Sequence, residues 1–237
     1  MIVGPDSLFI PRDSIFWDFD GVIKDSNDVK AEAFASLFES ESPEFVERVK
    51  TFHYNNPHLT REQKVQRFLD WSPGNLGGLC LDDLVCLFSE RVRGGVVASN
   101  WVEGVIEFQA RLKSDLPDTN HYLVTATPGR EIIWILREIG LFDFFADIEA
   151  GSGEKTKAVR YLIQKHKINR DATILVGDGA NDYEAARDNG LLFFLRRTPH
   201  NEDLCRVLPR EHIFDNYLQL MEDDKQFGRF MYTKNQA

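Results

Sequence analysis

The feature that most constrains the fold is a regular alternation of short apolar runs with longer segments of helical spacing. Runs of this length, rich in β-branched and aromatic residues, are typical of strands buried on both faces of a parallel sheet. Between them lie segments with apolar residues at helical spacing, which begin at residues 101, 129, 154 and 182. The pattern predicts an α/β fold with a doubly wound, Rossmann-like parallel sheet. The apolar runs are SIFWDF (14–19), HYLVT (121–125), ATILVG (172–177) and LLFFL (191–195).

A long stretch, residues 27–98, interrupts this alternation. It contains no strand pattern and four helical patterns, at residues 28–40, 43–54, 60–71 and 81–92. We therefore predict an inserted helical domain at 27–98, within a core formed by residues 1–26 and 99–237. Glycine-rich segments predict a loop inside the insert at 73–78 and a return hinge to the core at 93–100. The last ten residues, 228–237, are expected to fray.

The charge balance argues against a nucleic-acid partner. The chain of 237 residues has 28 Lys and Arg against 38 Asp and Glu, a net charge of −10, so a phosphate backbone would be repelled in general. No apolar run approaches the roughly 18 residues that a membrane span needs, and the beginning of the chain does not resemble a targeting segment. We expect a cytoplasmic protein with no membrane contact.

Two of the apolar runs end in closely spaced carboxylates. Asp18 and Asp20 end the first run, and Asp178 and Asp182 follow the third. Residues i and i+2 of a strand face the same side, and open parallel sheets place their ligands at the carboxyl ends of the strands. Solvated acids in a turn are the alternative for an isolated Asp-Gly pair. Gathered at one sheet edge, however, Asp18, Asp20 and Asp178 would offer hard oxygen ligands that suit Mg²⁺.

Other predicted strand ends carry groups that suit a phosphate. Thr125 ends a strand, and its hydroxyl and the backbone N–H groups of the following turn, beginning at Ala126, are suited to bind phosphate oxygens. Lys155 lies at a helix start, where a lysine is unfavourable for the helix dipole. Lys157 is the competing candidate, and a solvated lysine is the alternative for either. Asp182 has two interpretations, a helix N-cap or a member of the acidic site.

The order of these groups resembles the haloacid dehalogenase superfamily of hydrolases. DFDGV (18–22) is similar to its first motif, LVTAT (123–127) to the second, KTKAV (155–159) to the third and GDGAND (177–182) to the fourth. A helical insert directly after the first motif is similar to the cap of the phosphoglycolate phosphatase and β-phosphoglucomutase-like subgroup. The resemblance therefore covers the whole chain.

This resemblance implies a mechanism and a cofactor. Asp18 would attack phosphorus to form an aspartyl-phosphate, and Asp20 would act as general acid and then general base. Mg²⁺ would be held by Asp18, the backbone carbonyl of Asp20 and Asp178, with Asp182 orienting that set. An acid at position 20 also argues against carbon–halogen cleavage, because the dehalogenases of the superfamily lack it. The implied phosphate-binding residues are Thr125, Ala126 and Lys155.

The cap is expected to select the substrate. Thr60 and Gln63 form a capping-box pattern, which places Arg61 at the positive start of a helix with Lys64 on the same side. We predict that these two cations bind the end of the substrate remote from the metal, as a Ser/Thr-Arg step does in similar sugar-phosphate mutases. A solvated basic helix face is the alternative. The polar segment before them offers hydrogen-bonding groups suited to a polyhydroxylated or carboxylated ligand, His53, Tyr54, Asn55 and Asn56, with a structural role as the alternative for His53.

Three functions are compatible with these residues. We predict a Mg²⁺-dependent phosphomonoester hydrolase that acts on a small phosphorylated metabolite. A phosphomutase is the first alternative, although the mutases compared carry a histidine early in the first cap helix, where this chain has Lys30. A non-catalytic phosphate-binding regulatory protein is the second, although receiver domains lack a helical insert and an acid two residues after the phosphorylated one. Neither the substrate's identity nor the oligomeric state follows from the sequence.

Overall fold

Two sheets form the β structure of the protein. The computed structural model describes residues 9–56, 59–72, 74, 77–151 and 153–234. Its strands are β1 (Phe9–Pro11), β2 (Ser14–Trp17), β3 (Asn120–Thr125), β4 (Asp147–Ala150), β5 (Thr173–Gly177), β6 (Leu192–Arg196), β7 (Ile213–Phe214) and β8 (Tyr232–Lys234). Six of them form a parallel sheet in the order β4-β3-β2-β5-β6-β7, and β1 pairs with β8 in an antiparallel ribbon.

Helices make up most of the remaining described chain. They are α1 (Asn27–Ser36), α2 (Pro43–Asn55), α3 (Arg61–Trp71), α4 (Leu81–Ala98), α5 (Val105–Asp115), α6 (Gly129–Glu138), α7 (Lys155–His166), α8 (Ala180–Asn189), α9 (Glu202–Val207), α10 (Tyr217–Glu222) and α11 (Asp224–Met231). Short 3₁₀ turns precede β4, β5 and β7. No helix within the described residues has the length and apolar content needed to cross a bilayer.

Helices cover both faces of the parallel sheet. Alternation along β2 sends Ile15 and Trp17 to one side and Phe16 to the other. The first two pack in a cluster that includes Phe108 of α5, whereas Phe16 packs with Val159 of α7. All four apolar runs of the sequence form strands of this sheet. The predicted doubly wound α/β fold is confirmed.

The register of the central strands positions the site. β2 pairs in parallel with β3 on one side and with β5 on the other, so that Trp17 is level with Leu123 and Val176. Parallel strands present their carboxyl ends at one edge of the sheet. Asp18 and Asp178, which follow β2 and β5, therefore leave the sheet at the same edge.

Four helices lie between β2 and α5, and we call α1–α4 the cap helices. α1 packs against α2 and α4, and α3 packs against α4. Their core is aromatic: Phe34 stacks on Phe88 with ring centroids 3.9 Å apart, and Phe68 meets Phe34 and Phe38 edge to face. The helical character predicted for this stretch agrees with the structure, while its boundaries as a separate domain stay a prediction.

The cap helices contact the sheet domain through side chains of several types. Tyr54 of α2 stacks on His200, which follows β6, with ring centroids 3.9 Å apart. The guanidinium of Arg93 in α4 lies 5.5 Å from the ring centroid of Trp134 in α6. A third contact is the ion pair between Arg61 of α3 and Glu131 of α6. These contacts place the cap helices over the carboxyl edge of the sheet.

Two predictions about chain segments were wrong. The expected return hinge at residues 93–100 is helical as far as Ala98, because α4 continues through Gly94 and Gly95. The end of the chain does not fray over residues 228–234, since α11 buries Phe230 and Met231 and β8 pairs with β1. Residues 235–237, and positions 73, 75 and 76 of the expected cap loop, lie outside the described residues.

Helix packing explains why α4 contains a glycine pair. A Cβ atom at Gly95 would lie 2.6 Å from Cγ1 of Val29 in α1, closer than real Cβ contacts allow. Nothing lies within 4 Å of the Cβ position of Gly94. Gly95 therefore permits the close approach of α1 and α4. The glycine that suggested a hinge is required there for helix packing.

We expect the two glycines to respond in opposite directions to alanine. Gly94→Ala should raise the free energy of unfolding by about 0.5–1 kcal/mol, because alanine is the better helix former and the position is open. Gly95→Ala should lower it by about 1 kcal/mol or more, since the stiff Val29 side chain must move. Urea unfolding of both variants measures the difference. Equal stabilisation by the two substitutions would contradict the packing explanation.

Candidate active site

Asp18 lies at the centre of the site, directly after β2. Its backbone N–H donates to the carbonyl of Val176 at 3.0 Å, which ties it to the end of β5. Its Oδ1 lies 2.8 Å from Nζ of Lys155, the first residue of α7. Lys157 pairs instead with Glu154 on the surface, with 72% of its side chain exposed. Of the two candidate lysines, the structure brings Lys155 into the site.

Three carboxylates gather at this edge of the sheet. Oxygens of Asp18, Asp178 and Asp182 all lie within 4.8 Å of one another. Burial, opposed by Lys155 and reinforced by Asp182, raises the pKa of Asp18 to about 7. Burial and the charges of Asp18 and Asp182 raise the pKa of Asp178 well above its usual range. Full ionisation of the three carboxylates would therefore leave more negative charge than Lys155 compensates.

Asp182 is fully buried and forms an ion pair with Lys155. It is the third residue of α8 and not the N-cap, because the helix begins two residues earlier and Gly179, in an extended conformation, precedes it. One carboxylate oxygen pairs with Lys155 and the other accepts from the backbone N–H of Gly179 at 3.0 Å. Both of its oxygens are thus occupied, and its predicted support of a metal site stays a prediction. The predicted helix start at residue 182 was wrong, since α8 begins at Ala180.

Asp20 faces the same pocket with a different set of partners. Its oxygens accept hydrogen bonds from Ser26 and Thr127, and it forms an ion pair with Lys30 of α1. Burial alone would raise the pKa of Asp20, but Lys30 and these hydrogen bonds outweigh it and the pKa is lowered. The Asp20 side chain does not join the three-carboxylate cluster. Its expected role in metal binding concerned the backbone carbonyl, and that stays a prediction.

Gly21 makes the close approach of the two acidic loops possible. It has φ of 73°, a left-handed conformation that glycine adopts readily. A Cβ atom there would lie 2.0 Å from Oδ2 of Asp178 and 2.6 Å from the amide nitrogen of Asn27. Asn27, the first residue of α1, donates to the same Asp178 oxygen at 2.9 Å. The glycine after Asp20 is therefore required by packing as well as by the turn.

The turn after β3 lies against the acidic groups. Thr125 and Ala126 line the pocket, and the Thr125 hydroxyl accepts a hydrogen bond from the backbone N–H of Thr127 at 3.1 Å. The Thr127 hydroxyl contacts both Asp20, at 3.3 Å, and Nζ of Lys30, at 2.9 Å. The structure thus brings the predicted phosphate-binding turn together with Asp18, Asp20 and Lys155. Binding of phosphate by these groups stays a prediction.

Both predicted cap cations line the pocket, in different electrostatic states. Arg61 forms a bidentate pair with Glu131 of α6, with N–O distances of 2.8 and 3.0 Å, and also donates to Ser89. Lys64 is buried, and its Nζ lies 3.0 Å from Nδ1 of His53. Neither side chain forms a solvated basic face, which excludes that alternative. Contact with a substrate stays a prediction for both.

Several site residues escaped the sequence analysis. Asn27 and Thr127 orient the acids, Glu131 neutralises Arg61, and Asn181 lines the pocket. Thr127 and Asn181 lie inside quoted motifs and were detectable from the motif neighbourhood. Asn27 and Glu131 have no local signal, because their partners are more than 60 positions away in the chain. The pocket is lined by Asp18, Asp20, Lys30, Phe34, His53, Leu59, Thr60, Arg61, Lys64, Phe88, Thr125, Ala126, Thr127, Lys155, Asp178 and Asn181.

We expect the acidic cluster to give metal-free protein a distinctive pH dependence. Between about pH 4 and pH 7, Asp18 and Asp178 hold protons in the folded state that the unfolded chain has released. The free energy of unfolding therefore falls as pH rises through this interval. In the presence of a chelator, the melting temperature should fall more steeply over this interval for the wild type than for the Asp18→Asn/Asp178→Asn double variant. Parallel curves would contradict the raised pKa values.

Comparison with known proteins supports one family. Residues 13–190 match the model of the haloacid dehalogenase-like hydrolases. A phosphoglycolate phosphatase of Vibrio vulnificus strain YJ016 is 32% identical over 107 residues, 42% of this chain and 46% of the relative. One from Vibrio cholerae is 31% identical over 77 residues, 30% of this chain and 34% of the relative. The chain thus spans less than half the length of these curated relatives.

Solved structures agree on the fold. CbbY from Rhodobacter sphaeroides, in complex with xylulose-1,5-bisphosphate, has a TM-score of 0.71 and 17% identity, with 88% of this chain and 96% of that chain covered. A predicted phosphoglycolate phosphatase from Haemophilus somnus 129PT has a TM-score of 0.69 and 19% identity, with 89% and 97% covered. The family model matches most of the chain, and the solved structures share its fold. The chain therefore belongs to the haloacid dehalogenase-like hydrolase family.

Proposed function

We infer that this chain is a Mg²⁺-dependent phosphomonoester hydrolase that acts on a small phosphorylated metabolite through an aspartyl-phosphate on Asp18. One observation carries the proposal: Asp18 lies in a pocket at the strand edge, with Lys155 on Oδ1 and no partner for Oδ2 among the described residues. The free oxygen is available to attack phosphorus, and the curated phosphoglycolate phosphatases support this reaction class.

The donor set fits a magnesium ion. Asp178 uses Oδ2 to accept from Asn27, and Oδ1 has no partner among the described residues. Asp18 and Asp178 therefore each offer one oxygen at the point where the acidic charge is least compensated. Hard oxygen donors are the ligands that Mg²⁺ prefers. We propose Asp18, Asp178 and the backbone carbonyl of Asp20 as its ligands, with Asp182 as support through Lys155. Bound there, the ion would offset the charge that repels a carboxylate nucleophile from a phosphate.

The remaining core residues would hold the phosphoryl group in line with Asp18. Thr125 offers its hydroxyl and Ala126 its backbone N–H at the turn beside the pocket. Lys155, kept cationic because Asp18 and Asp182 outweigh the effect of burial on its pKa, supplies positive charge beside the attacked phosphorus. Thr127 holds the Thr125 hydroxyl, and Asp18 and Asp182 hold the Lys155 ammonium, so these two groups need little reorganisation when the phosphate arrives.

Asp20 would move the protons. Its pairing with Lys30 favours the carboxylate form of Asp20. In the second step this carboxylate would take a proton from a water molecule, whose oxygen attacks phosphorus and releases Asp18. To protonate the leaving oxygen in the first step, the same group must carry a proton, so the ion pair has to loosen when an ester binds. A carboxylate held ready to activate water favours hydrolysis over phosphoryl transfer within a mutase.

Asp18→Asn should abolish turnover and leave the fold intact. The amide cannot attack phosphorus, and we expect kcat to fall by at least about 1000-fold on any monoester that the wild type hydrolyses. Phosphate release and mass spectrometry of acid-quenched protein measure turnover and the covalent intermediate. The matched control is Asp188→Asn, at a surface aspartate that pairs with Arg187 outside the pocket. Near-normal turnover by the Asp18 variant would remove the nucleophile assignment.

Asp178→Ala should weaken the binding of magnesium, and a second variant provides a graded comparison. Loss of a direct ligand should raise the Mg²⁺ concentration for half-maximal activity by at least about 10-fold. Asn27→Ala removes only the hydrogen bond to Asp178, so its shift should have the same direction and a smaller size. Titration of activity with Mg²⁺ measures both. An unchanged titration in the Asp178 variant would make Asp178 structural and Asp182 the candidate ligand.

A further inference from the structure

The two ends of the pocket differ in charge. At the sheet end, Asp18, Asp178 and Asp182 surround a single lysine. Three cations of the cap helices line the pocket: Lys30, which pairs with Asp20, and Arg61 and Lys64 of α3. A ligand that spans the pocket therefore meets excess negative charge, suited to a metal and its phosphate, at one end and cap cations at the other.

Arg61 is already neutralised. Its guanidinium makes two hydrogen bonds to the carboxylate of Glu131, and the two side chains are only 10% and 7% exposed. A bidentate pair of this kind satisfies the planar guanidinium and fixes its orientation. Arg61 therefore joins α3 to α6 in this structure, and its charge is not free to attract a second anion.

Lys64 has no such partner. Its Nζ contacts Nδ1 of His53 at 3.0 Å and the backbone carbonyl of His53 at 3.4 Å, and no carboxylate within the described residues lies in ion-pair range. Burial, reinforced by the charge of Lys30, lowers the pKa of Lys64 to about 7. Burial and Lys64 hold the pKa of His53 well below its usual range, so the ring is neutral and orients the ammonium as an acceptor.

A buried cation without a counter-charge is costly, and such groups in proteins are usually paired. Lys64 lines the same pocket as Asp18, so the missing counter-charge can be supplied by a bound molecule. An anion beside Nζ would stabilise the charged lysine and recover the cost of its burial. Phe34, Phe88 and Leu59 line the pocket beside it and supply apolar walls.

We propose that Lys64, oriented by His53, binds a second anionic group of the substrate, so that the site selects phosphate monoesters carrying a carboxylate or a second phosphate. The proposal rests on the proposed hydrolase function and names its substrate class. It assigns recognition to Lys64 and His53, whereas the sequence pointed first to Arg61. Lys64 is a specificity-determining residue here, and Arg61 is a positioning residue that acts through Glu131.

Three esters that differ in one group test the proposal. They are 2-phosphoglycolate, 2-hydroxyethyl phosphate and O-phosphoethanolamine, whose second groups are anionic, neutral and cationic. The wild type should prefer them in that order. Lys64→Met should lower kcat/KM for the anionic ester by about 10- to 100-fold and change the neutral one by less than about 3-fold, so that the preference collapses. Lys64→Arg should retain part of the preference.

Control variants separate recognition from structure. Lys50→Met removes another cap lysine, which pairs with Glu32 outside the pocket, and should alter none of the three rates. Arg61→Met should lower all three rates alike, because it disturbs the contact between α3 and α6. A selective loss of the anionic ester in Arg61→Met, with Lys64→Met unaffected, would overturn the proposal. So would a preference for the anionic ester that survives in Lys64→Met.

Binding measurements keep this test separate from the hydrolase proposal. Calorimetry with the Asp18→Asn variant and Mg²⁺ gives dissociation constants for the anionic and neutral esters without turnover, and their ratio should shrink when Lys64→Met is added. If the wild type hydrolyses no ester but this ratio depends on Lys64, only the hydrolase assignment fails. If hydrolysis occurs and the ratio is the same with and without Lys64, only the subsite fails. Fructose 1,6-bisphosphate against fructose 6-phosphate, in the same assays, distinguishes a second phosphate from a carboxylate.

Discussion

The buried ammonium of Lys155 is the interaction on which the site depends. It lies between Asp18, at the end of β2, and Asp182, in the first turn of α8; Asp182 is fully buried, and the Asp18 side chain is 12% exposed. Acids on adjacent strand ends repel one another, and removing one member of a buried ion pair typically costs about 3–5 kcal/mol. Lys155 therefore allows the sheet to end in an acidic cluster and still leaves that cluster short of positive charge. A divalent cation suits this electrostatic arrangement.

A second set of charges crosses from the cap helices to the core. Lys30 of α1 reaches Asp20, and Arg61 of α3 reaches Glu131 of α6. Asp20 and Glu131 of the core consequently have their cationic partners only when the cap helices contact the sheet domain. Separation of the two parts would leave Asp20 and Glu131 without their cationic partners, so the electrostatics of the core are linked to the position of the cap helices.

The sequence predicted the sheet and the acidic edge because both depend on local patterns. The apolar runs marked β2, β3, β5 and β6, and Asp18 and Asp178 were recognisable from their positions at strand ends. β4 was missed because it is a short edge strand, DIEA, in which acidic residues replace half of an apolar run and all four residues are half-buried. The pairing of Arg61 with Glu131 joins residues 70 positions apart, and no periodicity encodes such a contact. For the same reason, the sequence could not separate Arg61 from Lys64.

The first turn of α1 connects two carboxylates of the site. Asn27 donates to Asp178, and Lys30, one turn further along the same helix, pairs with Asp20. A displacement of α1 would therefore perturb both carboxylates together. With the roles proposed above for Asp178 and Asp20, metal affinity and acid–base behaviour would be linked through this helix. Under the proposed function, the start of α1 would have to stay in place, so α2, α3 and α4 are the cap helices in which a change of substrate specificity would disturb catalysis least.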